Sequence, residues 1–130
     1  MQRAILISAA LLIPASVMAA DLQPGKYRIA TKIEGMKEAD KADDHCITQK
    51  DIDSGLTKLG VEQEDTSCRI SDFKRAPGSV SYRSTCKDGG ATDVKGTLGS
   101  DRFELQLLVR MNKNDPATKI IASGKRLGAC

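Results

Sequence analysis

Four cysteines and one histidine are the residues of this sequence best suited to chemistry: Cys46, Cys68, Cys86, Cys130 and His45. Metal centres built from such residues need several ligands at short spacing, but no CxxC pair occurs and there is a single imidazole. An even number of cysteines in a short exported chain instead indicates disulfides. A bridged Cys46 could not act as a thiolate, whereas a free Cys46 beside His45 could form a redox or metal site.

The carboxylates of one early loop are the remaining candidates for metal binding. Asp40, Asp43 and Asp44 could gather Ca²⁺, which prefers carboxylate and carbonyl oxygens. Their spacing fits no known calcium loop, and Lys37 and Lys41 stand between them. We therefore interpret the segment as a solvated loop.

Nucleophilic catalysis needs a base beside the nucleophile. His45 is the sole imidazole, and no Gly-x-Ser-x-Gly elbow occurs after residue 20. No helix is predicted directly after the glycine-rich turns, which argues against a phosphate cradle. The sequence predicts no catalytic residue, no metal ligand and no cofactor.

The first twenty residues have the pattern of a secretory signal. Arg3 precedes an uncharged apolar run over residues 4–17, and Ala19 and Ala20 supply the small side chains that signal peptidase needs. A transmembrane anchor needs roughly 20 apolar residues, and this run is shorter and contains Pro14. We predict a signal peptide over residues 1–20, cleaved after Ala19 or Ala20, and a periplasmic mature chain without a membrane anchor.

The charge balance limits the classes of partner. The chain carries 20 Lys and Arg against 17 Asp and Glu, so loss of Arg3 leaves the mature part with a net charge of +2. Its aromatic residues are Tyr27, Phe73, Tyr82 and Phe103, and there is no tryptophan. With the two signs interspersed along the sequence and few stacking platforms, we expect no nucleic-acid binding.

Alternating apolar and polar residues predict strands along most of the mature chain. The clearest alternations cover residues 26–34 and 102–111. A short extended piece is predicted at residues 45–47, and hairpin-length turns separate further strands at residues 68–74, 79–86, 91–98 and 117–127. We predict one mainly β domain over residues 21–130: a curved antiparallel meander, as a half-barrel or small barrel of about seven strands, with one short helix and two disulfides.

One helix is predicted after the second strand. Thr48 can cap it, with Asp51 as the capping-box partner, and Gly60 suits a left-handed stop. Gly55 weakens it by about 1 kcal/mol relative to alanine. Three apolar side chains fall on one helical face: Ile52, Leu56 and Leu59.

The predicted strand directions favour one of the three possible cysteine pairings. A turn centred on Pro77 places Cys68 opposite Cys86, at a separation that a disulfide accepts. If the first strand pairs with the last, Cys46 and Cys130 meet at the opposite rim. We predict Cys68–Cys86 and Cys46–Cys130; the rival, Cys46–Cys68 with Cys86–Cys130, needs a register shift or strong curling of the sheet.

Two apolar residues, Leu108 and Ile121, break the polar alternation of the last two strands. Either the helix packs over them, or they leave a patch for an apolar ligand or partner protein. The inward residues of a half-open barrel are equally a pocket wall or the core: Tyr27, Ile29, Phe103, Leu105 and Leu107.

Several motifs together resemble a known family: Leu22-x-Pro24-Gly25-x-Tyr27, Cys46-x-Thr48, Val80-x-Tyr82-x-x-x-Cys86, and the ending from Ser123 to Cys130 with Gly-Lys-Arg-x-Gly-x-Cys. They resemble the bacterial exported family designated domain of unknown function 3617, over nearly the whole mature chain. The resemblance implies a periplasmic, four-cysteine β domain and supplies no activity or ligand. This chain departs from the family in having Gln49 where proline is usual, and only Met36 in a loop that is often rich in methionine.

The sequence therefore favours a monomeric, non-enzymatic periplasmic module that binds an apolar small molecule or an envelope protein. A small redox-active or hydrolytic protein centred on His45 and Cys46 is the first alternative. A structural envelope-stress factor is the second.

Overall fold

The structure is a computed structural model that describes residues 21–36, 42–59 and 67–130. The predicted signal peptide, Asp40 and Gly60 lie outside these ranges. The elements are β1 (Gly25–Ile33), β2 (Asp43–Ile47), α1 (Gln49–Asp53), β3 (Cys68–Ala76), β4 (Ser79–Cys86), β5 (Ala91–Leu98), β6 (Arg102–Arg110) and β7 (Thr118–Gly128). The mainly β prediction is confirmed.

The seven strands form one antiparallel sheet in the order β2-β1-β7-β6-β5-β4-β3. Strands β3 to β7 follow one another as a meander, and β1 pairs with β7, as the sequence predicted. The sheet is open, with β2 and β3 at its edges. The sequence predicted a half-barrel or a small barrel, and the described strands form an open sheet and not a closed barrel.

The strand registers divide the sheet into two faces, because successive side chains in a strand point to opposite sides. Every second residue of the central strands is buried on one face, which we call the inner face. Its buried members are Tyr27, Ile29, Val80, Val94, Leu98, Phe103 and Leu105. Leu22, Ile52 and Leu56 belong to the same core cluster as most of these residues. The inner face is therefore covered by the helical region and by residues 21–24, which we call the N-terminal segment.

Helix α1 starts as predicted. The backbone N–H of Asp51 donates to Thr48 Oγ1 at 3.2 Å, and the Thr48 N–H donates to Asp51 Oδ2 at 2.9 Å, which completes the capping box. Because this reciprocal pair satisfies N–H groups that have no partner within the helix, a helix of five residues can form there.

The predicted continuation of the helix through Leu59 is wrong. The helix ends at Asp53, and Gly55 and Leu56 take left-handed φ angles of +71° and +59°. A Cβ at Gly55 would lie 2.7 Å from Val80 Cγ2 and 2.8 Å from Phe73 Cε2. Gly55 is therefore the residue that stops the helix, because only glycine permits both this backbone angle and this close approach to the sheet.

The β3–β4 hairpin places Cys68 opposite Cys86 as predicted, but its turn and register differ from the predicted ones. Its turn is the two residues Pro77 and Gly78, which shifts the pairing by one residue from a turn centred on Pro77. An irregularity between Ser71 and Lys74, where Asp72 has a φ of +53°, shifts it back.

Arg75 on β3 joins the sheet edge to two other segments. Its Nη2 donates to both carboxylate oxygens of Asp21 at 2.6 and 2.8 Å, its Nε donates to the Ile52 carbonyl at 3.1 Å, and Nη1 donates to the Ser79 carbonyl at 3.3 Å. The guanidinium side chain is only 13% exposed. One cation therefore fastens the N-terminal segment and α1 to β3.

Gly124 lies opposite Phe103 and gives its ring room. A Cβ there would lie 2.8 Å from Phe103 Cδ1 and closer still to two other ring atoms. Gly124→Ala should lower the free energy of unfolding by about 1–3 kcal/mol, through overpacking. Chemical denaturation measures this change. In a Phe103→Leu background, where the clashing ring is gone, the same substitution should cost clearly less, and an equal cost in both backgrounds would contradict the packing argument.

Asp21 makes stability depend on pH. Burial raises its pKa, but hydrogen bonds from Arg75 and the Leu22 backbone, with the guanidinium charge, outweigh burial and hold the pKa of Asp21 below 3.8. A lowered pKa in the folded state stabilises the fold above pH 3.8, and that stabilisation is lost as the pH falls below this value. Since the carboxylate is 38% exposed and thus screened, we expect Asp21→Asn to cost about 0.5–1 kcal/mol at pH 7.

Urea unfolding at pH 7 and at stepwise lower pH measures the Asp21 effect. The gap between wild type and Asp21→Asn should close as the solution becomes more acidic than pH 3.8. Asp93→Asn is the control, since its pair with Arg83 spans 3.7 Å between two exposed side chains. A pH-independent gap for Asp21→Asn, or an equal effect of Asp93→Asn, would refute the assignment.

Candidate functional site

The four cysteines are paired as predicted. Cys46 bonds to Cys130, with Cα atoms 5.7 Å apart, and Cys68 bonds to Cys86, with Cα atoms 3.9 Å apart. The rival pairing is thereby excluded, and no described cysteine is free. The two bonds lie at opposite ends of the sheet, because Cys68 and Cys86 are at the end where β6 finishes and Cys46 is at the end where β6 begins.

The neighbourhood of His45 holds no reactive thiol. His45 is exposed on the edge strand β2, opposite Tyr27, and the adjacent Cys46 is bound in its disulfide. Asp44 is paired with Arg28 at 3.0 Å, and the hydrogen bond from Arg28 lowers the pKa of the Asp44 carboxyl. Within residues 21–36, 42–59 and 67–130 no three His, Cys, Asp or Glu side chains come together as metal ligands.

Four of the five residues predicted as pocket wall or core lie in the core. Tyr27, Ile29, Phe103 and Leu105 are 0%, 8%, 3% and 3% exposed, and Leu107 packs half-buried against them. The Tyr27 hydroxyl donates to the Gln23 carbonyl at 2.6 Å. The inner face at these positions is thus filled by its own side chains.

Leu108 and Ile121 lie on the opposite side of the sheet, which we call the outer face. The register pairs Leu108 with Lys119 and Ile121 with Gln106, so the two apolar residues are diagonal neighbours on β6 and β7. Leu108 is 41% exposed and Ile121 is half-buried. Because α1 packs on the inner face, the expectation that the helix covers them is wrong; we call them the outer apolar pair.

A groove of about 700 Å³ opens on the outer face near the start of β6. Arg28, Lys125 and Arg102 stand side by side along it, since the register places Arg28 opposite Lys125 and Lys125 opposite Arg102. Ala30 and Ser123 form the next row, and their small side chains leave the space open. The volume is within the range of small-molecule sites, roughly 300–1,000 Å³.

Three cations and one acid line the groove. Arg28 is balanced by Asp44 and Arg102 by Asp101, at 3.0 and 3.4 Å. Among the described residues, Lys125 forms no ion pair, and Glu104 is the one acidic residue that lines the groove. Adjacent like charges across strands repel one another, so an anion placed among the three cations would relieve that repulsion.

The same positive charge extends over the whole outer face. On the described strands this face carries eleven Lys or Arg and three Asp or Glu residues, the acids being Asp44, Asp93 and Glu104. We call the eleven cations the basic face: Lys26, Arg28, Lys32, Arg69, Lys74, Arg83, Lys95, Arg102, Arg110, Lys119 and Lys125. Sequence reasoning missed both groove and basic face, although the period-two alternation within each strand already separated these cations from the core.

The fold and these sites define a disulfide-linked domain with an open antiparallel sheet and an outer groove that three cations line. The family described as "Protein of unknown function (DUF3617)" matches residues 22–130, and the chain belongs to it. The family predicted from the motifs is therefore confirmed. No curated protein and no solved structure matches the chain. Across the part of the chain that the structure describes, no helix has the length and apolar character needed to cross a membrane.

The disulfides predict the outcome of thiol labelling. Iodoacetamide added without reductant should label no cysteine, in the folded or the urea-unfolded protein, because all four sulfurs are already bonded. Mass spectrometry of a digest should show the Cys46 peptide joined to the Cys130 peptide. Reduction before labelling is the control and should modify all four. Labelling at Cys46 without reductant would restore the redox alternative.

Proposed function

We propose that the domain is an exported, periplasmic, non-enzymatic binding module that takes an apolar ligand or an envelope partner on the outer face of its sheet. The observation that carries the proposal is the outer apolar pair, Leu108 and Ile121, which lies on the face opposite the core and outside any cover from α1. Apolar side chains kept on a polar face next to a groove are typical of an interaction site.

The apolar pair lies outside the core cluster. The core is complete on the inner face, where ten buried residues form one cluster that contains neither Leu108 nor Ile121. Substitutions outside the core usually change stability little. A binding role explains why such residues stand in the middle of strands whose other outward positions are polar or charged.

The alternatives proposed from the sequence have less support. A redox or hydrolytic centre at His45 has no thiolate beside it, because Cys46 is in a disulfide. A structural envelope factor would need no groove and no outer apolar pair. The binding proposal uses both features.

A neutral apolar dye tests the proposal. Nile red should bind wild-type protein with increased fluorescence, and the double variant Leu108→Ser/Ile121→Thr should bind it about thirtyfold more weakly, since each of the two substitutions removes about 1 kcal/mol of apolar contact. Thermal unfolding should confirm that stability changes by less than about 1 kcal/mol.

Leu127→Ser is the matched control for the dye experiment. Leu127 is 48% exposed, similar to the 41% of Leu108, but lies near the other end of β7. It should retain wild-type binding. Equal losses in the control and the double variant, or unchanged dye binding in the double variant, would rule out a site at the outer apolar pair.

A further inference from the structure

We propose that the basic face docks on an anionic lipid bilayer, with phosphate headgroups as the groups that it recognises. The proposal rests on the proposed function and names the partner for the same surface. It follows from three features of the outer face: the amount and spread of its charge, the outer apolar pair at its centre, and the groove at its edge.

The charge is large and one-sided. Eleven cations face three acids on the described strands, although the mature sequence as a whole is nearly neutral. Several of the described acidic residues lie instead in α1 and the turns, such as Asp51, Asp53, Asp88 and Asp115. A molecule with its charge separated in this way is oriented by a negative surface, with the sheet's outer face towards that surface.

The distribution of the cations fits a surface better than a single small anion. Six of the seven strands contribute at least one cation, and ten of the eleven are exposed, with Lys119 half-buried. Three of them form described ion pairs: Arg28, Arg83 and Arg102. The remaining cations are free to meet several anionic groups at once.

The outer apolar pair favours lipid over nucleic acid. Leu108 lies opposite Lys119 on β7 and Asp93 on β5, and Ile121 lies opposite Lys32 on β1, so each apolar side chain has a lysine beside it. A membrane interface offers phosphates and acyl chains together. Single-stranded nucleic acid would instead need aromatic stacking platforms, and the described aromatic residues lie on the inner side, where Tyr27 contacts Phe103 and Phe73 stacks on Tyr82.

The groove supplies a seat for one headgroup. Its three cations, Arg28, Lys125 and Arg102, line up across neighbouring strands. Arg28 and Arg102 are also paired with Asp44 and Asp101, so Lys125, which forms no described ion pair, supplies the charge for a phosphate, with the remaining guanidinium N–H groups beside it. The small side chains of Ala30 and Ser123 keep the space above them open.

Vesicle flotation tests the proposal with the whole protein. We expect binding to vesicles of phosphatidylethanolamine with phosphatidylglycerol, weaker binding at high salt, and none to neutral phosphatidylcholine vesicles. The triple variant Lys74→Thr/Lys95→Thr/Lys119→Thr removes three cations of the basic face that form no described ion pair. Its partition coefficient should fall about a hundredfold, or about fivefold for each charge.

The matched control removes the same charge elsewhere. Lys50→Gln/Lys87→Gln/Lys113→Gln alters exposed lysines in α1 and two turns, and should bind the anionic vesicles within about twofold of wild type. Circular dichroism melting of both triple variants checks that each is folded. Equal losses in the two triple variants would overturn the proposal, because charge alone and not its placement would then control binding.

Two further outcomes separate this proposal from the function on which it rests. Nile red binding at the outer apolar pair without any vesicle binding would overturn the lipid partner and leave the binding module intact. Charge-dependent vesicle binding with no effect of the Leu108→Ser/Ile121→Thr change on either ligand would instead overturn the apolar site.

Tighter binding to duplex DNA than to anionic vesicles at the same salt would make nucleic acid the partner and refute the lipid assignment.

Discussion

The guanidinium of Arg75 joins three parts of the chain that no strand pairing connects. Its contacts with Asp21, the Ile52 carbonyl and the Ser79 carbonyl link the N-terminal segment, α1 and the β3–β4 hairpin. An open sheet has no hydrogen bonds between its edge strands, so its inner face stays covered only if other segments are held there. Because a largely buried cation must be fully paired, these contacts also fix where the segments lie.

Glycine makes that cover possible by letting side chains approach the backbone. Phe103 packs over Gly124, and Leu105 and Val80 close on Gly96, where a Cβ would meet their methyl groups at 2.5 and 2.7 Å. Gly55 lets the segment after α1 lie against Val80 and Phe73. Gly124 and Gly96 thus let core side chains lie over neighbouring strands, and Gly55 lets the segment after α1 approach the sheet, in a chain with only two phenylalanines and no tryptophan.

The sequence predicted what depends on local alternation, and missed what depends on several strands at once. Period-two patterns located the strands, and hairpin geometry paired Cys68 with Cys86, although a two-residue turn and a bulge at Asp72 compensated for an error of one residue in the assumed turn. The helix ends earlier than predicted because Gly55 packs against Val80 of β4, and a contact between such distant residues leaves no local sequence pattern. The Arg75–Asp21 pair spans 54 residues in sequence and leaves no local signal. The groove was invisible for the same reason, since its cations come from three strands.

The proposed binding role gives the two faces of the sheet separate tasks. Stability comes from the inner face, where the core cluster is complete without any outward residue. The outer face lies outside that cluster and carries neighbouring cations, such as Arg28, Lys125 and Arg102, which repel one another across the strands although Arg28 and Arg102 each pair with an acid. A folded domain has no internal need for such an arrangement, because Lys125 could be acidic or neutral and still occupy its exposed position. In the proposed complex an anionic surface against the sheet offsets this repulsion, and that gain in free energy, with the apolar pair beside it, is what the proposed binding face requires.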